Sequence, residues 1–430
     1  MSAAVRAGTP SSADIADVTL PNGMRALLLE NHAAPSVVCD GFLRGGTIRD
    51  PVDLPGLAAF SADLLERGTA GHDFASLSDT LESIGAEVGL GANRHTLGFD
   101  AKCLAEDLPL VLGLLTEMLA EPTFPTEQVE TVRGQILTGL RQRMDDTRYR
   151  AARAFREVAY GPHHPYGRPA EGTSDSVQAL GREELAAFHT SHSSPAGGCI
   201  VLVGDFDTAS AIDLLGSTIG SWIPPEPAGG CPPDTLAGPA PQSTGLVRES
   251  VTMPGKTQSD LIVGTPAIPR SHPDWYAAAV ANTALGVFGL MGRLGENVRD
   301  RRGLAYYAFS RLTGGLGPGA WMAMAGINPA NVDEAADAIL FEMRRMRDEP
   351  VPADELADVK AYLTGSLPVR LETNEGLAHS LSDMALYDLG LDYLVRYPEL
   401  IEGVTQDQMQ RAVATHLHPD QSFVVVAGPG

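Results

Sequence analysis

Arg299 and Tyr306 are the two side chains of this 430-residue sequence best spaced to hold a polar ligand together. They lie seven residues apart in the run GRLGENVRDRRGLAYY at 292–307, where an amphipathic stretch closes on Arg299, Arg301 and Arg302 and then meets Gly303. A glycine just past a cationic last turn is a stop signal for a helix. The Leu-Ala-Tyr-Tyr that follows has the apolar character of a strand start. A helix end and a strand start joined in this way aim a guanidinium with five N–H donors and a phenol hydroxyl at one place. Both suit the backbone carbonyls of a bound peptide. Composition alone favours a plainer reading, an Arg cluster at a helix C-terminus beside a half-buried tyrosine, so the rest of the chain has to decide.

Few other motifs compete. There is no G-x-S-x-G, P-loop or dinucleotide fingerprint. Pro254-Gly255-Lys256-Thr257 ends like a P-loop, but Val251 stands where the upstream glycine belongs. The eleven histidines show no ligand spacing with one another, and His163-His164 read as part of a turn. Cys39, Cys103, Cys199 and Cys231 lie far apart without a CxxC, which fits a reduced compartment. A formal charge of −23 argues against nucleic acid and anionic membrane surfaces as partners. No window approaches the ~18 apolar residues of a membrane span, and the start, MSAAVRAGTPSSAD, lacks the apolar region of a secretory signal. The expected location is the cytoplasm.

The elements that must position Arg299 and Tyr306 come in two sets. SVQALGREELAAFHTSHSSPAGGCIVLVG (176–204) aligns without a gap on LIEGVTQDQMQRAVATHLHPDQSFVVVAG (400–428), 224 residues later, so that His192 falls on His416 and Pro195 on Pro419. The same shift lays the helical pattern at 106–119 on that at 330–343. A shift of 227 lays Phe124-Pro125 on Val351-Pro352. Three matches in order imply two copies of one domain. The spacing predicts an α+β fold of two homologous half-domains, each a mainly antiparallel sheet with helices packed on one face. Residues 1–15 read as a flexible tail, 16–222 as the first domain, 223–245, rich in Pro and Gly, as a linker, and 246–430 as the second domain.

The two halves, the opening LPNGMRALLLE, the stretch from Gly56 to Thr69, PYGRPAEGT at 165–173 and RLGENVRDRRGLAYY at 293–307 together resemble the inverted-zinc-motif, pitrilysin-type metallopeptidases, in the subgroup of the mitochondrial processing peptidase. The resemblance implies a clamshell of two halves and a helix bearing H-x-x-E-H, with a further Glu about 75 residues on to complete the zinc ligands. Here those positions hold Ala59, Ala62 and Asp63, and Thr138 or Gly139. Glu130 lies eight residues from Thr138, ~12 Å along a helix, too far to substitute. One carboxylate cannot hold a catalytic zinc, so no metal is expected at this place.

In two-chain relatives one subunit carries zinc and the other, lacking it, supplies an Arg and a Tyr that hold the substrate backbone. Arg299 and Tyr306 match that spacing. The resemblance therefore implies a non-catalytic, substrate-binding subunit of a heterodimeric zinc endopeptidase, with zinc in a homologous partner and a peptide as substrate. The rival expectation is a structural scaffold subunit with no proteolytic role.

Overall fold

The computed structural model describes residues 9–224, 238–287 and 292–430. The described strands form two sheets. The first contains β1 (Ala16–Thr19), β2 (Arg25–Glu30), β3 (Ser36–Arg44), β4 (Glu87–Ala92), β5 (Thr96–Leu104) and β6 (Cys199–Gly204), in the order β1-β2-β6-β3-β5-β4. The second contains β7 (Val247–Thr252), β8 (Ser259–Pro266), β9 (Ala305–Leu312), β10 (Ala320–Ile327) and β11 (Phe423–Gly428), in the order β7-β11-β8-β10-β9. Neighbours run antiparallel except for two pairs, β2 with β6 and β7 with β11. The central strand β6, CIVLVG, is buried at every position, which explains its unbroken apolar run in place of alternation.

The sheets repeat one plan at the offsets visible in the sequence. β6 and β11 begin at 199 and 423, and β5 and β10 at 96 and 320, each pair 224 apart. The helices Thr126–Met144 and Ala353–Arg370 begin 227 apart, as do Thr147–Tyr160 and Asn374–Leu386. In each unit a layer of helices covers one sheet face. Leu112 and Leu115 meet Leu28, Phe99 and Leu202 in the first core. Ile339 and Met343 meet Leu261, Val263 and Trp321 in the second.

The opposite face of each sheet carries one further helix, and that helix comes from the other half of the sequence. On the second sheet Ile262, Phe423, Val425 and Ala427 point away from the main core, toward Ala151, Phe155 and Ala159 of the helix Thr147–Tyr160. The Phe155 and Phe423 rings meet edge-on at 6.5 Å. On the first sheet the helix Asn374–Leu386 packs across β3 and β6. Residues 141–168 accordingly belong to the second compact unit and 368–395 to the first. This corrects the continuous domains expected over 16–222 and 246–430: each gives one segment to the other's sheet. Periodicity marks a helix as amphipathic but carries no record of which sheet it covers.

Two further boundaries change. Of the expected tail, residues 9–15 are anchored, with Ile15 buried and the Ser12 N–H donating to Asp392 Oδ1 at 2.9 Å. The heart of the expected linker, 225–237, lies outside the described residues, while Ala240 packs against the second unit's smaller core. No helix among the described residues is long and apolar enough to cross a membrane.

Candidate functional site

The helix Leu57–Asp63 begins at Gly56, held at φ 92°. The buried Asp50 carboxylate accepts the N–H groups of Gly56 (2.7 Å) and Ala58 (2.8 Å), satisfying donors that a helix start leaves unpaired. Ala59 and Asp63, four residues apart, share a face, Ala59 half-buried and Asp63 exposed. Ala62 is 2% exposed and turned into the core. Thr138 is exposed and Gly139 half-buried on the helix Thr126–Met144. Arg133 of that helix sets its guanidinium 5.4 Å from the Phe60 ring and donates to the Val177 carbonyl, tying the two helices together. Glu130 is paired with Arg133 at 3.1 Å. The supporting helices are thus built, yet they present methyl groups, a hydroxyl and one carboxylate. Zinc takes three protein ligands of N, S or O type in a catalytic site, and this donor set does not fit it.

Behind Ala62 lies a cavity of about 20 Å³, lined by Ser61, Ala62, Phe188, His189 and His192 among others and large enough for a single water. Buried His189 places Nε2 3.0 Å from the Leu119 carbonyl, so this nitrogen carries the proton and donates. Burial pushes its pKa down from 6.5 to about 4. Between those values the unfolded chain binds a proton that the folded chain refuses, so stability rises with pH across that window, by roughly 3 kcal/mol from this group. Thermal melts from pH 4 to 7 are expected to show a smaller acid loss in His189→Leu than in the parent; parallel curves would contradict this origin.

On the other unit the sequence around Arg299 folds as a wide turn of helix, Gly295–Arg301, with π-type hydrogen bonding. The Arg302 N–H reaches the Asn297 carbonyl at 3.2 Å, five residues back. Gly303 at φ 61° ends the turn, its N–H donating to the Arg299 carbonyl at 2.9 Å, and the Leu304 N–H reaches the Val298 carbonyl at 3.0 Å. The left-handed residue that this stop needs is the reason for glycine. β9 begins two residues later as the edge of its sheet, so side chains alternate across it. Tyr306 faces out and is 80% exposed.

Arg299 is half-buried and, among the described residues, its guanidinium has no hydrogen-bond or ion-pair partner, nor has the Tyr306 hydroxyl. Its neighbours are engaged: Arg293 with Glu355 at 2.9 Å, Arg301 with Glu296, and Arg302 with Glu334 at 3.9 Å. Helix widening of this kind recurs at functional sites.

Tyr307 turns the other way, into a buried constellation that sequence reasoning missed. Its hydroxyl donates to Asp260 Oδ1, a side chain of β8 that is 3% exposed. Thr147 Oγ1 donates to Asp260 Oδ2, and Arg148 Nε donates to the Tyr307 oxygen at 3.0 Å, its guanidinium 4.3 Å from the ring centre. Thr147 and Arg148 open the helix contributed from the first half of the sequence, so the group fastens that helix to the second sheet. Burial and the Asp260 carboxylate push the Tyr307 phenol well above its usual range. An aspartate set among the apolar residues of a central strand, S-D-L-I-V-G, was the available signal, since such a carboxylate must find partners.

Two repeated units, each a five- or six-stranded sheet with a helical layer, define a two-domain α+β protein. Residues 25–171 match the model of insulinase (peptidase family M16), and residues 179–363 that of the peptidase M16 inactive domain. The chain belongs to peptidase family M16. It is 26% identical to an uncharacterized zinc protease of Streptomyces coelicolor, over 96% of this chain and 89% of that one. It is also 26% identical to a probable inactive metalloprotease of Bacillus subtilis, over 81% and 84% of the two chains. A solved structure described as a peptidase M16 inactive domain from Pseudomonas fluorescens superposes with a TM-score of 0.88 at 25% identity, covering 97% of this chain and 98% of that one.

Proposed function

We propose that this chain is the non-catalytic, substrate-binding subunit of a heterodimeric zinc endopeptidase of the cytoplasm, acting on peptides with zinc supplied by a homologous partner. The observation that carries the reading is the contrast at one place. Arg299 and Tyr306 leave their donors unpartnered among the described residues, while the adjoining Arg293, Arg301 and Arg302 are all ion-paired. A half-buried guanidinium and an exposed phenol that are not engaged within the chain keep their donors available to a ligand that displaces water from them. Peptide carbonyls fit both, and two donors on successive carbonyls would fix the register of a scissile bond against the partner's metal. The match to an inactive M16 domain over 179–363 supports the assignment of hydrolysis to another chain.

Co-expression with a homologue that carries an intact H-x-x-E-H tests the pairing. A complex of one copy of each chain, persisting through size-exclusion chromatography, is the expected result. Separate elution of the two chains would favour the scaffold reading instead.

A further inference from the structure

The fold gathers histidines that the sequence scatters. His272 lies in the turn before the helix Trp275–Asn282, Asp274 occupies that helix's N-cap position, and His416 is the last residue of the helix Gln406–His416. One ligand atom from each lies within 4.8 Å of those of the other two, the one such group of three among the described residues. His416 Nε2 is 2.8 Å from Asp274 Oδ2, and His272 Nδ1 is 3.9 Å from the same oxygen. The two imidazole rings meet edge-on at 4.8 Å.

Several features suit this group to a cation. Although Asp274 stands where a capping side chain belongs, it makes no capping bond: its carboxylate goes to His416 instead, while its backbone N–H donates to His272 Nδ1 at 3.1 Å, so that this nitrogen turns its lone pair inward and is unprotonated, as a metal ligand must be. His416 sits at the carbonyl end of its helix, where positive charge is favoured. The three side chains are 33%, 46% and 13% exposed, so an ion can reach them from solvent. Zinc bonds to N and O of about 2.0–2.1 Å imply ligand–ligand separations of about 3.3 Å. The separations of 2.8 and 3.9 Å from Asp274 Oδ2 lie on either side of that value, within about half an ångström of it, and the third, between the two imidazole nitrogens, is at most 4.8 Å.

We propose that His272, Asp274 and His416 form a binding site for a zinc-class divalent cation, separate from the emptied position on the helix Leu57–Asp63. Two imidazoles and a carboxylate are a borderline donor set that suits zinc and leaves a fourth position for water. The bound ion would pin the helix Gln406–His416 to the turn at 270–274. His416 also lines a cavity of about 260 Å³, together with His418 and Thr415, which gives a metal-bound water a neighbouring space.

The test is a calorimetric titration of zinc into the chelator-stripped full-length chain, with no partner and no peptide present, followed by thermal melts with and without zinc. One equivalent is expected to bind and to raise Tm, because a ligand held only by the folded state stabilises it. Outer-shell changes alone weaken metal sites by 10–100-fold, so His272→Ala and His416→Ala should each weaken binding at least about tenfold. Asp63→Asn should leave it unchanged. His272 is in a partly exposed turn, so His272→Ala carries the test if His416→Ala does not fold. Absence of binding, an affinity that His272→Ala leaves intact, or loss of binding in Asp63→Asn would overturn the proposal. None of these outcomes depends on whether a partner subunit exists.

Discussion

Tyr306→Phe and Arg299→Ala are each expected to lower peptide turnover by the proposed complex with a zinc-motif homologue about 100-fold, Tyr306→Phe while leaving the chain as stable as before. A preorganised donor that meets developing charge or fixes a reacting carbonyl contributes roughly 2.7–4 kcal/mol where single donors have been removed, and 1.36 kcal/mol is tenfold in rate. The stability half of the prediction follows from exposure. Tyr306 is 80% exposed and its hydroxyl has no partner among the described residues, so deleting that oxygen breaks no contact of the folded chain. Surface changes of this kind usually stay within about 0.5 kcal/mol. Steady-state cleavage by the complex and thermal melts of the single chain measure the two halves separately. Turnover unchanged in both variants, with the complex intact, would remove the pair from the mechanism. A large fall in Tm would reassign the side chains to structure.

Asp260→Ala is expected to have the largest effect on stability. The carboxylate is buried, accepts from both Tyr307 and Thr147, and lies 3.9 Å from Arg148 Nε. Removing it leaves two hydroxyls without their acceptor and unfastens the start of the helix Thr147–Tyr160 from the sheet it covers. Breaking a buried charged group by deleting one partner costs about 3–5 kcal/mol. At 2–4 °C per kcal/mol for units of this size, Tm should fall by about 6–20 °C. Tyr307 adds a pH signature. Its phenol titrates higher in the folded chain than unfolded, so its stabilisation is present below the ordinary value near 10 and is lost as pH rises above it. Wild type should lose stability faster than Tyr307→Phe above pH 10, as melts at stepped pH would measure. Equal losses would contradict the role given to the Tyr307–Asp260 pair.

Much of this architecture could be read before any coordinates. The offsets of 224 and 227 residues reappear as equivalent strands and helices, because each repeat unit must close its own apolar core and so keeps its spacing. The stop at Gly303 and the strand from Ala305 were legible because left-handed backbone leaves a local mark in residue type. Long-range choices leave none. Nothing in Thr147–Tyr160 announces that Phe155 will meet Phe423, and nothing in the spacing of His272 and His416 announces that a turn and a helix end converge. The Tyr306-Tyr307 dipeptide joins both cases. Alternation along a strand separates one ring to solvent and the other to the interior, but only the sheet order makes β9 an edge and gives Tyr307 its aspartate.

The most direct test of the central claim is a peptide-cleavage assay, with zinc present throughout, on this chain alone, on the zinc-motif homologue alone and on their equimolar mixture. The account predicts no cleavage by this chain alone and strong cleavage only in the mixture, because Ala59, Ala62, Asp63, Thr138 and Gly139 give a catalytic metal no adequate set of ligands. Hydrolysis by this chain alone at the rate of the mixture would contradict it.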